Sequence, residues 1–268
     1  MANWEYPATG PIDLDISLTA GSIAVTAEDT EVITVRLLPN RPGRSGEEAA
    51  DDVTVDFSGD RLVIAEPKYG GLRRHGPSFS LDVKVPPGSR CTVRTAACDV
   101  ACDGELGALD IRTASGDVGA AVVTGPVQVH TASGDVKLDD AAAELTVHTG
   151  TGDVRIGHVG GELAVDTASG DISIGNAAAS ASARTASGNV RIASLAAGHA
   201  DLTSVSGDVA VGVAPGTGVY LDLGSVSGQV SSDLDASQTE GRADLELRCR
   251  TVSGSLWVGR AALAGDRS

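Results

Sequence analysis

Residues 113–118 read T-A-S-G-D-V, and the same six letters return at Thr131. Variants follow at Thr149 (TGTGDV), Thr167 (TASGDI) and Thr185 (TASGNV). The glycines of the phrase, Gly116, Gly134, Gly152, Gly170 and Gly188, stand 18 residues apart each time. The step then lengthens: Gly207 comes 19 residues on, Gly228 21 and Gly254 26. One step upstream, TAACDV is a degenerate copy with Cys98 in place of the glycine. A fixed period near 20 residues marks a solenoid.

With Leu109 as position zero of a coil, positions 0, 2 and 4 read Leu-Ile-Thr, Val-Val-Thr, Leu-Val-Thr and Leu-Val-Thr in four successive copies. Such alternation predicts a strand. Positions 9 and 11 read Val118-Ala120, Val136-Leu138, Val154-Ile156, Ile172-Ile174 and Val190-Ile192, a second short strand. Position 14 (Val123, Ala141, Val159, Ala177, Leu195) adds one inward residue at the return turn. Neither strand buries its apolar face alone, so coils must stack, with like positions about 4.8 Å apart. The expectation is an all-β, single-chain parallel β-solenoid with coils of about 18 residues. Right-handed coiling is favoured because parallel crossovers have that hand. The hexapeptide left-handed form is rejected, since apolar positions do not recur every six residues. In this reading TASGDV is a corner: glycine supplies the turn backbone, Ser and Asp bond turn amides, and the inward Thr stacks on its own copies.

The expected organisation is one continuous domain. Residues 1–90 form an irregular β-rich part capping the stack, residues 91–230 form the regular coils, residues 231–244 are an inserted loop, and residues 245–268 hold the last coil and tail. Within the first part, PNRPGRSGEEAADD (39–52) and EPKYGGLRRHGPS (66–78) read as loops, the first with one helical turn. By register Trp257 faces outward, placed to cover an open end or the inserted loop.

Tandem T-[AV]-S-G-[DNQ]-[VI] phrases, the VPPGS of residues 85–89, the opening L-T-A-G-S-I-A-V of residues 18–25 and the late insertion resemble a bacterial β-strand-repeat family. That family is described as candidate adhesins, a domain of unknown function. The resemblance spans Ile12 to Val258. It implies a β-solenoid, no enzyme activity and no established ligand, so it transfers no functional residues.

The formal net charge is -16 and aromatic residues are only 3% of the 268. Phosphate binding needs clustered Lys and Arg, so nucleic acid is excluded as a partner, and anionic membrane surfaces are disfavoured. No basic n-region precedes an apolar run in MANWEYPATGPIDLDISL, and no stretch of about 18 apolar residues occurs. Neither a signal peptide nor membrane insertion is expected. Cytoplasmic location is the default, with non-classical export left open.

Two columns invite a chemical reading. Position 8 carries Asp99, Asp117, Asp135, Asp153, Asp171, Asn189 and Asp208. Stacked carboxylates at strand spacing repel, so either calcium ions compensate or each Asp accepts turn amides and pairs with Lys137, Arg155 or Arg191. Position 3 carries Arg94, Arg112, His130, His148, Asp166 and Arg184. Two imidazoles about 5 Å apart with Asp166 have the donor types of a zinc site, but flanking arginines disfavour a cation and a solvated mixed column is the alternative. Cys91, Cys102 and Cys249 fall inward and Cys98 sits at a corner, so the four read as buried free thiols, with Cys91 and Cys249 too far apart to meet. The basic loop residues Lys68, Arg73, Arg74 and His75 offer a docking patch for an acidic partner or are simply solvated. No nucleophile elbow, P-loop or dinucleotide fingerprint is present.

The leading expectation is a non-enzymatic scaffold or binding surface without cofactors. Its partner would be an unknown protein, or a further copy joined through solenoid ends or faces. The alternative is a metal-dependent or carbohydrate-active β-helix enzyme using His130, His148 and Asp166.

Overall fold

The computed structural model describes residues 2–40, 49–67, 78–234 and 243–261. The basic loop Lys68, Arg73, Arg74 and His75 lies outside the described residues, as do parts of the 39–52 and 231–244 segments. Described residues form twenty-three strands and one helical turn at 49–51. The alternation counted in the sequence is the alternation of burial: inward Val, Ile and Leu are buried and their neighbours are not. The strands fall into two units, Met1–Gly134 and Asp135–Ser268, each a stack of parallel β-solenoid coils.

The first unit holds β1 (Ala2–Pro7), β2 (Asp13–Ala27), β3 (Val32–Pro39), β4 (Thr54–Ser58), β5 (Arg61–Ala65), β6 (Phe79–Val85), β7 (Arg90–Leu106), β8 (Ala108–Ser115), β9 (Val118–Val123) and β10 (Val127–Ser133). β2 and β7 each run through both strands of a coil, and their corners Gly21 and Cys98 are register partners. β8 and β9 lie parallel on the two halves of β7, and β10 lies on β8. On its other side β2 pairs parallel with β5 through its first half and with β6 through its second. There the parallel pattern stops. β4 adds antiparallel to β5, β3 antiparallel to β6, and β1 antiparallel to β3. The rings of Tyr6 and Phe57 meet with centroids 5.2 Å apart, joining the outermost strands β1 and β4. These strands bury Leu14, Ile16, Ile23 and Val25 of β2 together with Phe79.

The second unit holds β11 (Val136–Ala141), β12 (Leu145–Thr151), β13 (Val154–Val159), β14 (Leu163–Ser169), β15 (Ile172–Ala177), β16 (Ala181–Ser187), β17 (Val190–Leu195), β18 (Gly198–Ser206), β19 (Val209–Val213), β20 (Val219–Ser227), β21 (Val230–Ser232), β22 (Leu245–Ser253) and β23 (Leu256–Arg260). One face runs β12, β14, β16, β18 and the other β11, β13, β15, β17, β19, all parallel and in register except for a shift between Ile192 and Leu195 where β17 meets β19. Chain order then fails. β18 pairs not with β20 but with β22, and β20 pairs with the far side of β22. On the other face β23 likewise sits between β19 and β21. The coil of residues 245–260 is wedged inside the coil of residues 219–232, which becomes the outermost rung. Among the described residues, nothing pairs with the outer side of β20 or β21.

Candidate functional site

The corner column is built from backbone contacts. The position-7 glycines all have positive φ, from 121° at Gly116 to 155° at Gly228, where an L side chain is strained. A Cβ on Gly170 would run into the carbonyl of Gly152 one rung away, so close approach as well as conformation demands glycine. The neighbouring Asp column clamps successive rungs. The backbone N–H of Asp117 donates to Asp99 Oδ1 at 3.0 Å, that of Asp153 to Asp135 at 2.8 Å, and that of Asp171 to Asp153 at 3.0 Å. Asn189 N–H donates to Asp171 at 2.7 Å, Asp208 N–H to Asn189 Oδ1 at 2.9 Å, and Ser255 N–H to Asp208 at 2.7 Å. Asp99, Asp135, Asp153, Asp171 and Asp208 each therefore accept an amide of the next rung. Arg155 adds ion pairs to Asp153 (2.7 Å) and Asp135 (3.5 Å). The clamp stops at Ser255, which lacks a carboxylate to offer Gln229 on the outermost rung.

Position 3 also resolves into pairings. In the second unit His148 and Asp166 are register partners, with Nδ1 to Oδ2 at 3.3 Å. Arg184 lies 3.7 Å from Asp166 and 3.9 Å from Asp201. Asp166 thus shares its carboxylate between an imidazole and a guanidinium. His130 belongs to the first unit, in register with Arg112. Among the described residues no group of three His, Cys, Asp or Glu is placed to hold a metal.

The inward position-4 hydroxyls align in register, but they bond to corner carbonyls and not to one another. Thr113, Thr131 and Thr149 donate to the carbonyls of Ser115, Ser133 and Thr151 at 2.8, 3.0 and 3.2 Å. Thr185, Ser204 and Thr251 donate instead to Gly170, Gly188 and Gly207 of the adjoining rung. The buried Thr167 hydroxyl has no hydrogen-bond partner among the described residues. All four cysteines are free and buried. Cys91 and Cys102 are in contact, and that hydrogen bond together with burial raises the Cys91 thiol. Burial pushes Cys249 up to about 12, helped by Asp201 and Asp222.

Two concave surfaces of the second unit bear on binding. One, of about 450 Å³, lies over β12, β14, β16 and β18, with small outward Thr146, Ala164 and Ser182 flanked by Glu144, Glu162, Arg184, His199 and Asp201. The other, of about 490 Å³, lies at the outermost rungs. There Val205, Val252 and Val226 stand on successive rungs at position 5, exposed by 47%, 49% and 82%. The regular coils carry Ala114, Ala132, Gly150, Ala168 and Ala186 at that position. The switch from TASG to SVSG and TVSG was the sequence signal for this patch. It is easily passed over, because the eye follows the invariant Ser-Gly. Beside the valines, hydrogen bonds from Arg248 and Arg250 to Asp222 outweigh its desolvation and hold its carboxyl below the ordinary value. Trp257 faces outward as expected, and its indole N–H donates to Asp233 at 3.0 Å, at the start of the inserted segment.

Residues 12–258 match the family described as Toastrack DUF4097. The chain belongs to that family. Toastrack DUF4097 is a domain of unknown function, so membership accounts for the repeat and the fold and assigns no activity. Similar solved structures include a "putative adhesin" from Parabacteroides distasonis, at 11% identity and TM-score 0.46, covering 96% of each chain. A "putative lipid binding protein" from the same organism has 12% identity and TM-score 0.46, covering 97% of this chain and 96% of the other. A "putative adhesin" from Bacteroides fragilis has 12% identity and TM-score 0.33, covering 96% of each. No curated protein matches this Toastrack chain. No helix among its described residues is long and apolar enough to cross a membrane.

Proposed function

We propose that this Toastrack chain is a non-enzymatic scaffold, an adhesin-type module whose outward columns form a binding surface. The observation that supports this reading is the pairing along those columns. The carboxylates of the corner accept rung amides, and His148, Asp166, Arg184 and Asp201 form a chain of polar contacts across four rungs. Paired groups of this kind hold side chains at fixed spacing. The groove over Thr146, Ala164 and Ser182 is shallow and small-floored, with charged walls, which suits a polar partner laid along the rungs.

The test is a polysaccharide and peptide array probed with the full chain and with the Glu144→Lys/Glu162→Lys variant, with released reducing ends measured alongside. Binding without product release, altered by the double variant, is expected. Release of reducing ends, or binding that disappears when divalent metal is chelated, replaces this reading by the β-helix enzyme that uses His148 and Asp166.

A further inference from the structure

The outermost rung differs from every rung beneath it in the second unit. Leu245, Leu247, Cys249 and Leu256 of the wedged coil are fully buried, whereas their register partners Val219, Leu221, Leu223 and Val230 are half-buried or exposed. Among the described residues, one more layer is missing, carrying both strand hydrogen bonds and apolar side chains. Protein edges of this kind are normally guarded by Lys, Pro, bulges or inward charges. Residues 218–232 contain one charge, Asp222, and it is already held by Arg248 at 3.0 Å and Arg250 at 3.4 Å. The edge is therefore close to neutral on a chain of net charge -16.

The side chains of β20 are also self-complementary. Tyr220 and Val226, the most exposed large apolar residues described, at 62% and 82%, lie three residues either side of Leu223 on the same outward face. In an antiparallel pair, residues directly opposite point to the same face. A two-fold axis at Leu223 sets Tyr220 of each copy against Val226 of the other, Asp222 against Gly224, and Leu223 against itself. No like charges then face one another, and both exposed apolar residues are covered.

We propose that the outer edge of β20 docks a second copy of this chain, antiparallel about Leu223, joining two solenoids at their bare rungs. A two-fold contact of this kind is closed and stops at two copies. The end face is about 30 Å long and about 10 Å deep between sheets, so the contact buries well under the ~1,600 Å² of a standard interface. The dimer is accordingly weak and concentration-dependent. Screening of the net charge by salt strengthens it.

The experiment is sedimentation equilibrium of the full chain over a hundredfold range of concentration. The expected result is a shift from 26.9 kDa towards twice that mass. Val226→Lys, on an exposed site that leaves the fold intact, weakens association at least about tenfold, whereas Val122→Lys on the first unit does not. Leu223→Cys fixes the geometry: on oxidation it gives a disulfide-linked dimer, and Val226→Cys does not, since its partner is Tyr220. A monomer at every concentration overturns the proposal. So does a dimer indifferent to Val226→Lys, or cross-linking through Val226→Cys in place of Leu223→Cys. These sites lie away from the Glu144 and Glu162 groove, so dimerisation and face binding stand or fall separately.

Discussion

The first unit and the second finish their stacks in opposite ways. Beyond β2 the first unit changes its hydrogen-bonding pattern. Antiparallel β3 and β4, with β1, cover the coil, and an aromatic pair closes the outside. The last strands there are short and carry Glu5, Pro7 and Asp56, all features that discourage further pairing. The second unit makes no such change. Its outermost rung is an ordinary coil with no successor among the described residues, and its inward residues are left half-buried or exposed. A repeat can terminate by changing its grammar or by simply stopping, and only the first choice satisfies the core within one chain.

The widest gap between the two ends should appear in core truncations. Phe79→Ala in the cap is expected to cost about 3–5 kcal/mol in urea unfolding, as for a fully buried aromatic. Leu221→Ala on the bare rung should cost under about 1.5 kcal/mol, because much of that side chain never leaves water in the monomer. Equal costs would break the comparison and mean that the rung is covered in solution.

The Asp clamp offers a sharper contrast. Asp171→Ala removes the acceptor of the Asn189 amide and should cost about 1 kcal/mol. Ser255→Asp should extend the clamp to Gln229, giving up to about 1 kcal/mol and slowing amide exchange in β21. Exchange in β21 unchanged by that substitution would show that the terminal rung is not limited by its missing clamp.

The coils themselves were legible because side-chain alternation and corner chemistry are local. Leu-x-Val-x-Thr followed by Gly-Asp-Val specifies a strand, a corner and a strand wherever it occurs. Stacking order was not legible at the end. The inward faces of Val219–Leu223 and Leu245–Cys249 are chemically interchangeable as partners for β18, so nothing in the letters says which comes first. Parallel strands and antiparallel cap strands likewise share one alternation, which is why the β3 and β4 pairings could not be read. For the polar columns, register correctly put His148 beside Asp166. It could not show that Asp amides would be accepted across rungs, because that depends on the twist of the corner. The Thr column was legible as a column, but its bonding was not, since a hydroxyl two residues before a turn finds a carbonyl of that turn or of the next rung before another hydroxyl.

The smallest expected effect separates two members of that column. Thr149→Val loses a hydrogen bond and should cost about 1 kcal/mol, whereas Thr167→Val, whose hydroxyl is unpaired, should be neutral or stabilising. A matching loss at both positions would place a partner at Thr167 that the described residues do not include.

The wedged coil carries a consequence for synthesis. A ribosome delivers residues 219–232 before residues 245–260, yet the later segment is the one they must rest upon. For the interval in which those later residues are still being made, β18 offers its edge to β20, the wrong neighbour with the right pattern. Folding of these two coils therefore involves either a wait or an exchange, and the coil made later must displace or forestall the one before it.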